Sequence, residues 1–271
     1  MNGASREALA AARERLDALT DSTSVDAGRL ADELAAVTAL LDREVSLRRV
    51  LTDPAQAGEA KAELVQRLIG GQVGGETADL LAGLVRSRWS QSRDLVDALE
   101  ELAATADLTA AQQAGTLDNV EDELFRFGRI VSGSTELRAA LTDRKATASA
   151  KSELLRSLLG GRTAATTERL VKRLVTAPRG RSLEAGLESL SKLAAERRDR
   201  MVAVVTSAVP LSDPQKQRLG AALAKLYGRR MHLNLDVDPE VLGGIRVQVG
   251  DEVINGSLAD RIGDAERRLA G

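Results

Sequence analysis

Cysteine is absent from all 271 residues, which excludes disulfides and thiolate metal sites. Aromatic side chains are limited to Trp89, Tyr227, Phe125 and Phe127, so a core must be built from Leu, Val and Ala, as in closely packed helical bundles. His232 is the one histidine, which argues against histidine-based catalysis and a multi-histidine metal site. It alternates out of phase with Met231 and Leu233, so it is expected to point away from the apolar face as a surface histidine and not a ligand. No apolar run approaches the ~18 residues a membrane span needs. The opening stretch, MNGASREALAAARERL, is a charged helical pattern without the apolar region of a signal peptide. These absences suit a cytoplasmic chain, or one peripheral to a membrane.

Charge is present but uneven. Residues 1–136 hold 14 Lys and Arg against 24 Asp and Glu, a net −10. Residues 137–200 hold 15 against 7, a net +8, and residues 201–271 hold 9 of each. Such runs are either solvated helix faces or the footprint of an acidic partner or anionic surface.

From the start, Leu9, Leu16 and Leu19 recur at helical spacing, and Asp21-Ser22-Thr23-Ser24 breaks that helix. Leu30, Leu34, Val37 and Leu41 mark a second helix. Asp53-Pro54 reads as a helix start, with Asp capping and Pro in the first turn. Gly70-Gly71 reads as the end of that helix, where a residue often turns left-handed. Further helices centre on Leu80 to Val85 and on Leu95 to Leu102.

The chain then repeats itself at a shift of 90. Leu47-Arg48 meets Leu137-Arg138, Leu51-Thr52-Asp53 meets Leu141-Thr142-Asp143, and Gly70-Gly71 meets Gly160-Gly161; 12 of the 25 positions from 47 to 71 are identical without a gap. Asp32-Glu33-Leu34 meets Asp122-Glu123-Leu124, and Thr77, Leu80 and Leu84 meet Thr167, Leu170 and Leu174. Shared Thr-Asp and Gly-Gly punctuation in one register marks an internal duplication. Pro54 becomes Arg144, and the second copy is more basic. Residues 106–119 read as a polar joint. A long charged helix through Leu183, Leu187, Leu190 and Leu193 closes the second copy.

After Arg200 the period changes. Met201 to Thr206 is a β-branched run, Ser212-Asp213-Pro214 opens a helix, and Met231, Leu233, Leu235 and Val237 alternate with polar residues as a strand. Asp238-Pro239 turns the chain, Gly243-Gly244 lets it re-enter as a strand through Ile245, Val247 and Val249, and Gly250-Asp251 turns into Glu252 to Ile254. Ser257-x-x-Asp260 has the shape of a capping box before a last helix. The fold expected is mainly α: two tandem Ala/Leu-rich helical bundles, 1–108 and 109–199, followed by a small α+β domain, 200–271.

No catalytic pattern stands out. The glycine pairs lack phosphate-loop spacing and sit where helices end. Ser257 has no nucleophile setting and reads as a cap. Asp236, Asp238 and Glu240 are too few for a calcium loop. Trp89, among Arg86, Arg88 and Arg93, lacks the aromatic companions and basic surroundings of a nucleic-acid site and reads as core packing. No cofactor or metal is expected.

The closing stretch resembles the C-terminal signature of the F-type ATP synthase delta subunit, the oligomycin-sensitivity-conferring protein family. The likeness runs through Leu233, Val237-Asp238, Val241, Gly243-Gly244-Ile245, Val247-Gln248, Gly250-Asp251, Val253-Ile254 and Gly256-Ser257. Asn255 stands where the family usually has Asp. Leu51-Thr52-Asp53-Pro54 resembles part of the family's N-terminal six-helix bundle, here present twice. The resemblance implies a non-catalytic stator subunit that joins the N-terminal helices of alpha subunits to the b subunits of the peripheral stalk. It implies a place on the cytoplasmic face of the bacterial membrane through the complex alone, with no nucleic-acid partner. Val241, Gly243, Gly244, Ile245, Gly250, Gly256 and Ser257 would be its structural signature. A stand-alone helical adaptor is the alternative.

Overall fold

The computed structural model describes residues 1–20, 25–198, 201–227, 231–238, 241, 244–249 and 252–255, with the side chains of 201–204, 231, 232, 234, 252 and 255 left out. The Asp21–Ser24 break, the direction of His232, Glu240, the Gly250-Asp251 turn and the capping box with its last helix lie outside what is described. The described chain is mainly helical with a small sheet near its end, and its contacts divide it into two units, 1–197 and 198–271.

The first unit is built from α1 (Gly3–Thr20), α2 (Ala27–Arg43), α3 (Val45–Thr52), α4 (Gly58–Ile69), α5 (Gly75–Arg86), α6 (Ser92–Gln113), α7 (Leu117–Gly133), α8 (Thr135–Thr142), α9 (Ala148–Leu159), α10 (Ala165–Thr176) and α11 (Leu183–Arg198). Adding 90 to the bounds of α2 to α5 reproduces those of α7 to α10. The duplication is therefore structural. Shifting α1 by 90 places it at 93–110, inside α6. One helix thus closes the first half and opens the second.

Side-chain burial follows that double duty. Leu95, Leu99 and Leu102 of α6 join a cluster with Leu16, Leu34, Leu41, Leu80 and Leu84. Ala104, Leu108 and Ala111 join another with Leu124, Val131, Leu155, Leu170 and Leu174. The polar joint expected over 106–119 is correspondingly shorter. Helix α6 runs on to Gln113, and the break is confined to 114–116 with Gly115 at φ 68°. Within the helix the hydroxyls of Thr105 and Thr109 are satisfied by donating to the carbonyls of Glu101 and Thr105, each at 2.9 Å.

The repeated Thr-Asp pair ends a helix instead of starting one. Thr52 and Thr142 donate back to the carbonyls of Arg48 and Arg138 at 2.9 and 2.7 Å. Asp53 and Asp143 then accept from the backbone N–H two residues on, at 2.9 and 2.8 Å, in an Asx turn. Helix α4 begins only at Gly58, so Pro54 lies in the turn, which Arg144 fills equally well. Gly70 and Gly160 do cap helices, but Gly70 is right-handed at φ −58°. What both positions exclude is a Cβ, which would lie 2.5 Å from the carbonyl oxygens of Gln66 and Arg156. The left-handed turn expected there occurs in the second copy alone, at Gly161 with φ 70°.

A second repeated device ties distant helices. The residues before α5 and α10 are Gly74 and Ala164, neither of which has a capping side chain. Glu33 of α2 supplies the acceptor for Gly74 N–H at 2.9 Å and for the Thr77 hydroxyl. Glu123 of α7 does the same for Ala164 N–H, at 3.0 Å, and for Thr167. A carboxylate at a helix N-terminus satisfies an orphan donor and meets the positive end of the dipole.

The second unit holds β1 (Met201–Ser207), α12 (Asp213–Tyr227), β2 (Met231–Val237), β3 (Ile245–Val249) and β4 (Glu252–Asn255), in the sheet order β2-β1-β3-β4. Strands β1 and β2 are parallel and joined through α12, as a parallel pair requires a crossover. Strands β1 and β3, and β3 and β4, are antiparallel. Val205, Val247, Val249 and Leu223 form the core, with Leu219, Leu233, Ile245 and Ile254 packed against it. Ser212 opens α12 as expected, its N–H and hydroxyl both donating to Gln215 Oε1, at 2.8 and 2.7 Å.

Burial pushes the Glu33 carboxyl up, but the bonds from Thr77, Arg29 and Gly74 outweigh it and hold the group below its ordinary value. A carboxylate lowered on folding contributes stability that is full above its unfolded pKa and fades as pH falls through the folded one. We expect Glu33→Gln to cost about 1–3 kcal/mol at neutral pH. The loss should shrink as the pH falls below the carboxylate range, as urea unfolding at pH 7 and pH 3 would measure.

Candidate functional site

The described residues contain no group of three or more His, Cys, Asp or Glu placed to hold a metal ion, and what the first unit offers instead is grooves and charge. A cleft of about 440 Å³ lies between the α2/α6 face of the first half and α10 and α11 of the second. Ala35, Thr38, Ala39 and Ala103 line one side, and Leu170, Leu174, Leu190 and Leu193 the other. An open groove of about 600 Å³ runs between α7 and α11, with Leu124, Phe125, Gly128 and Leu187 along it.

Ion pairs between the two halves, some of them on the rim of the cleft, account for much of the charge asymmetry. Arg173 of α10 pairs with Asp107 of α6 and, at 2.7 Å, with Asp32 of α2. Arg169 lies 2.9 Å from the other Asp107 oxygen, without hydrogen-bond alignment. Arg179 reaches Asp42 at 3.2 Å and Glu100 at 3.1 Å, and Arg181 also meets Glu100. Arg197 pairs with Asp17 at 2.7 Å and donates to Gln112 at 2.6 Å. Five arginines of the basic segment therefore meet acids of residues 1–136. For them the acidic partner is the same chain, neither solvent nor another molecule. Lys172 is exposed.

Two of these residues sit at a cost. Arg179 has φ 50°, a left-handed backbone that a side chain disfavours by ~1–2 kcal/mol. Its guanidinium is nonetheless buried between Asp42 and Glu100, and Arg93 donates to its carbonyl oxygen at 2.6 Å. Asp107 is fully buried, and burial pushes its carboxyl up against the pull of Arg173 and Arg169. A carboxyl raised on folding contributes stability below its unfolded pKa, and loses it as pH rises through the folded one. At neutral pH Asp107 thus positions the arginines more than it stabilises the fold.

The residues singled out from sequence fall into place unevenly. Trp89 is a core residue, its Nε1 donating to the Leu84 carbonyl at 2.8 Å. Of the terminal signature, Gly244 has φ 102°, a backbone conformation that requires glycine. Ile245 opens β3 opposite Ser207, and Val241 N–H donates to the Asp238 carbonyl at 3.1 Å. Gly243, Gly250, Gly256 and Ser257 lie outside the described residues. The Glu33 and Glu123 staples and the Asp107 cluster went unread in the sequence. The staples left a signal: Glu33 with Thr77 and Glu123 with Thr167 recur together at the shift of 90.

Residues 103–269 match the family "ATP synthase delta (OSCP) subunit". The chain belongs to the ATP synthase delta (OSCP) subunit family. It is 84% identical over 270 residues to "ATP synthase subunit delta" of Streptomyces coelicolor, covering 100% of this chain and 98% of the relative. It is 49% identical over 271 residues to the protein of that name from Thermobifida fusca, covering 100% of each. These relatives therefore share its enlarged length. Among solved structures, a chain from the mitochondrial ATP synthase hexamer of Toxoplasma gondii is similar over 62% of this chain and 95% of its own. Its TM-score of 0.28 at 20% identity is too low to bear on the fold. The family match begins within α6, where the second half begins. The match thus takes in the second half and the sheet unit, while the relatives are matched along the first half as well.

Truncating Arg173 leaves Asp107 buried with only the misaligned Arg169, so Arg173→Ala should cost about 3 kcal/mol or more. Adding Asp107→Asn to that variant should return part of the loss. A double-mutant cycle by chemical unfolding measures the coupling.

Proposed function

We propose that the helical unit holds N-terminal helices of the alpha subunits, while the sheet unit holds the end of the peripheral-stalk b subunits. The chain is a stator subunit of the proton-translocating F-type ATP synthase, a structural component and not a catalytic one. The observation that carries this is the family match across the second half and the sheet unit, together with relatives matched from end to end. Among the described residues no helix is long and apolar enough to cross a membrane. In this reading the subunit meets the membrane through the complex, on its cytoplasmic face.

The work of such a joint is mechanical: the head must not turn with the rotor. Alpha helices docked in apolar grooves and a stalk held at a second place meet that need, provided the body between does not shear. We assign the two helical modules to residues 1–108 and 109–199, with the sheet domain over 200–271. Val241, Gly243, Gly244, Ile245, Gly250, Gly256 and Ser257 would shape the turns of the stalk grip. Val209, Leu226, Val237 and Val253 of that unit are exposed apolar side chains that suit a helical partner.

Photoreactive residues at Val237 and Val253 should trap b subunits in synthase isolated from membranes, and those at Val50 and Leu68, exposed apolar side chains of the helical unit, should trap alpha subunits. A protein that stays free when the synthase is isolated would contradict the stator role. Exchanged crosslinks would contradict the division of partners.

A further inference from the structure

The duplication puts the same face in two situations. In the first half, the face between α2 and α6 looks across the cleft of about 440 Å³ at α10 and α11. Leu170, Leu174 and Leu190 lie across from Ala35 and Thr38, and Arg179 and Arg181 meet Glu100 at the edge. In the second half, the corresponding face lies between α7 and α11. Helix α7 matches α2 at the shift of 90, and Leu183, Leu187, Glu188 and Leu190 match Leu95, Leu99, Glu100 and Leu102 at a shift of 88. There the face stands open as the groove along Leu124, Phe125, Gly128 and Leu187.

The open face keeps the acid of the first-half face and is bulkier and more apolar beside it. Phe125 replaces the half-buried Ala35 and is 57% exposed, a large apolar side chain outside its own core. Glu188 holds the place of Glu100 and has no ion-pair partner among the described residues, whereas Glu100 receives two arginines. Arg129 on the opposite lip, where the first half has Ala39, disfavours basic residues on that side.

We infer that the α7/α11 groove takes an amphipathic helix of another polypeptide, with a Leu/Ala stripe over Phe125 and Leu187 and Arg or Lys along the edge that meets Glu188. The chain itself displays the charge part of that docking, in Arg179 and Arg181 meeting Glu100 at the edge of the first-half face. This rests on the repeat and not on the stator reading, and it names a face and a charge that the reading leaves open.

The test uses the full-length protein and two labelled synthetic helices, one with a Leu/Ala stripe and an arginine edge, the other with glutamate in place of arginine. Binding is read by fluorescence anisotropy. The arginine-edged helix should bind, and the glutamate-edged one should bind at least about threefold more weakly. Phe125→Glu should weaken the first about tenfold or more. Glu188→Lys should weaken it about threefold and strengthen the second. Ile130→Glu, at an equally exposed position outside the groove, should change neither, and thermal unfolding should be the same for all three variants. Equal binding of the two helices, equal effects of the Phe125 and Ile130 variants, or sedimentation showing Phe125 buried against a second copy would each overturn the proposal.

Discussion

Helix α6 is the constraint from which the rest of the helical unit follows. Its 22 residues, about 33 Å at 1.5 Å per residue, belong to two hydrophobic clusters at once. Fully burying a leucine is worth roughly 1.5–3 kcal/mol, and α6 commits Leu95, Leu99 and Leu102 to one cluster and Leu108 to the other. Two bundles joined by a loop could swing about it. Two bundles that share a helix can separate only by breaking that helix or exposing one of the clusters. For a part that must transmit torque without yielding, a shared helix is the stiffer solution.

The charge distribution completes that solution. Residues 1–136 and 137–200 carry opposite net charge, and much of the difference is spent inside the molecule, where Arg169, Arg173, Arg179, Arg181 and Arg197 meet Asp107, Asp32, Asp42, Glu100 and Asp17. Buried pairs add little net stability against their desolvation cost, but breaking one is expensive. Their effect is therefore on register. The halves can close on one another with Asp107 under Arg173 and Arg179 under Glu100, and other seatings would strand a charge. The apolar cleft of about 440 Å³ left between them shows that packing alone does not fix the seating.

What could be read from the sequence was whatever depends on local pattern. The shift of 90 at Leu51-Thr52-Asp53 and Gly70-Gly71 announced the duplication, and alternation from Met231 to Val237 announced the strand. Gly244 advertised a backbone that only glycine adopts readily. The misreadings came where one local pattern serves two purposes. Asp-Pro can begin a helix or sit in a turn, and the side chains of Thr52 and Asp53 had to find the backbone behind and ahead of them before the turn was evident. Residues 106–113 look polar because Thr105 and Thr109 satisfy themselves within the helix while Asp107 faces arginines from far along the chain. No local pattern shows that pairing. It depends on how the second copy folds back on the first.

Family membership and fold together describe a mechanical component: a helical body stiffened by a shared helix and cross-linked by ion pairs, and a small sheet unit that lies within the family match. The most direct measurement of that account is ATP-driven proton pumping by membranes stripped of this subunit and then given it back. Stripped membranes should lose pumping while the head still hydrolyses ATP, and re-addition of the full-length chain should restore pumping without changing the hydrolytic rate of the detached head. Pumping that survives removal, or hydrolysis by the detached head that requires the subunit, would contradict the account.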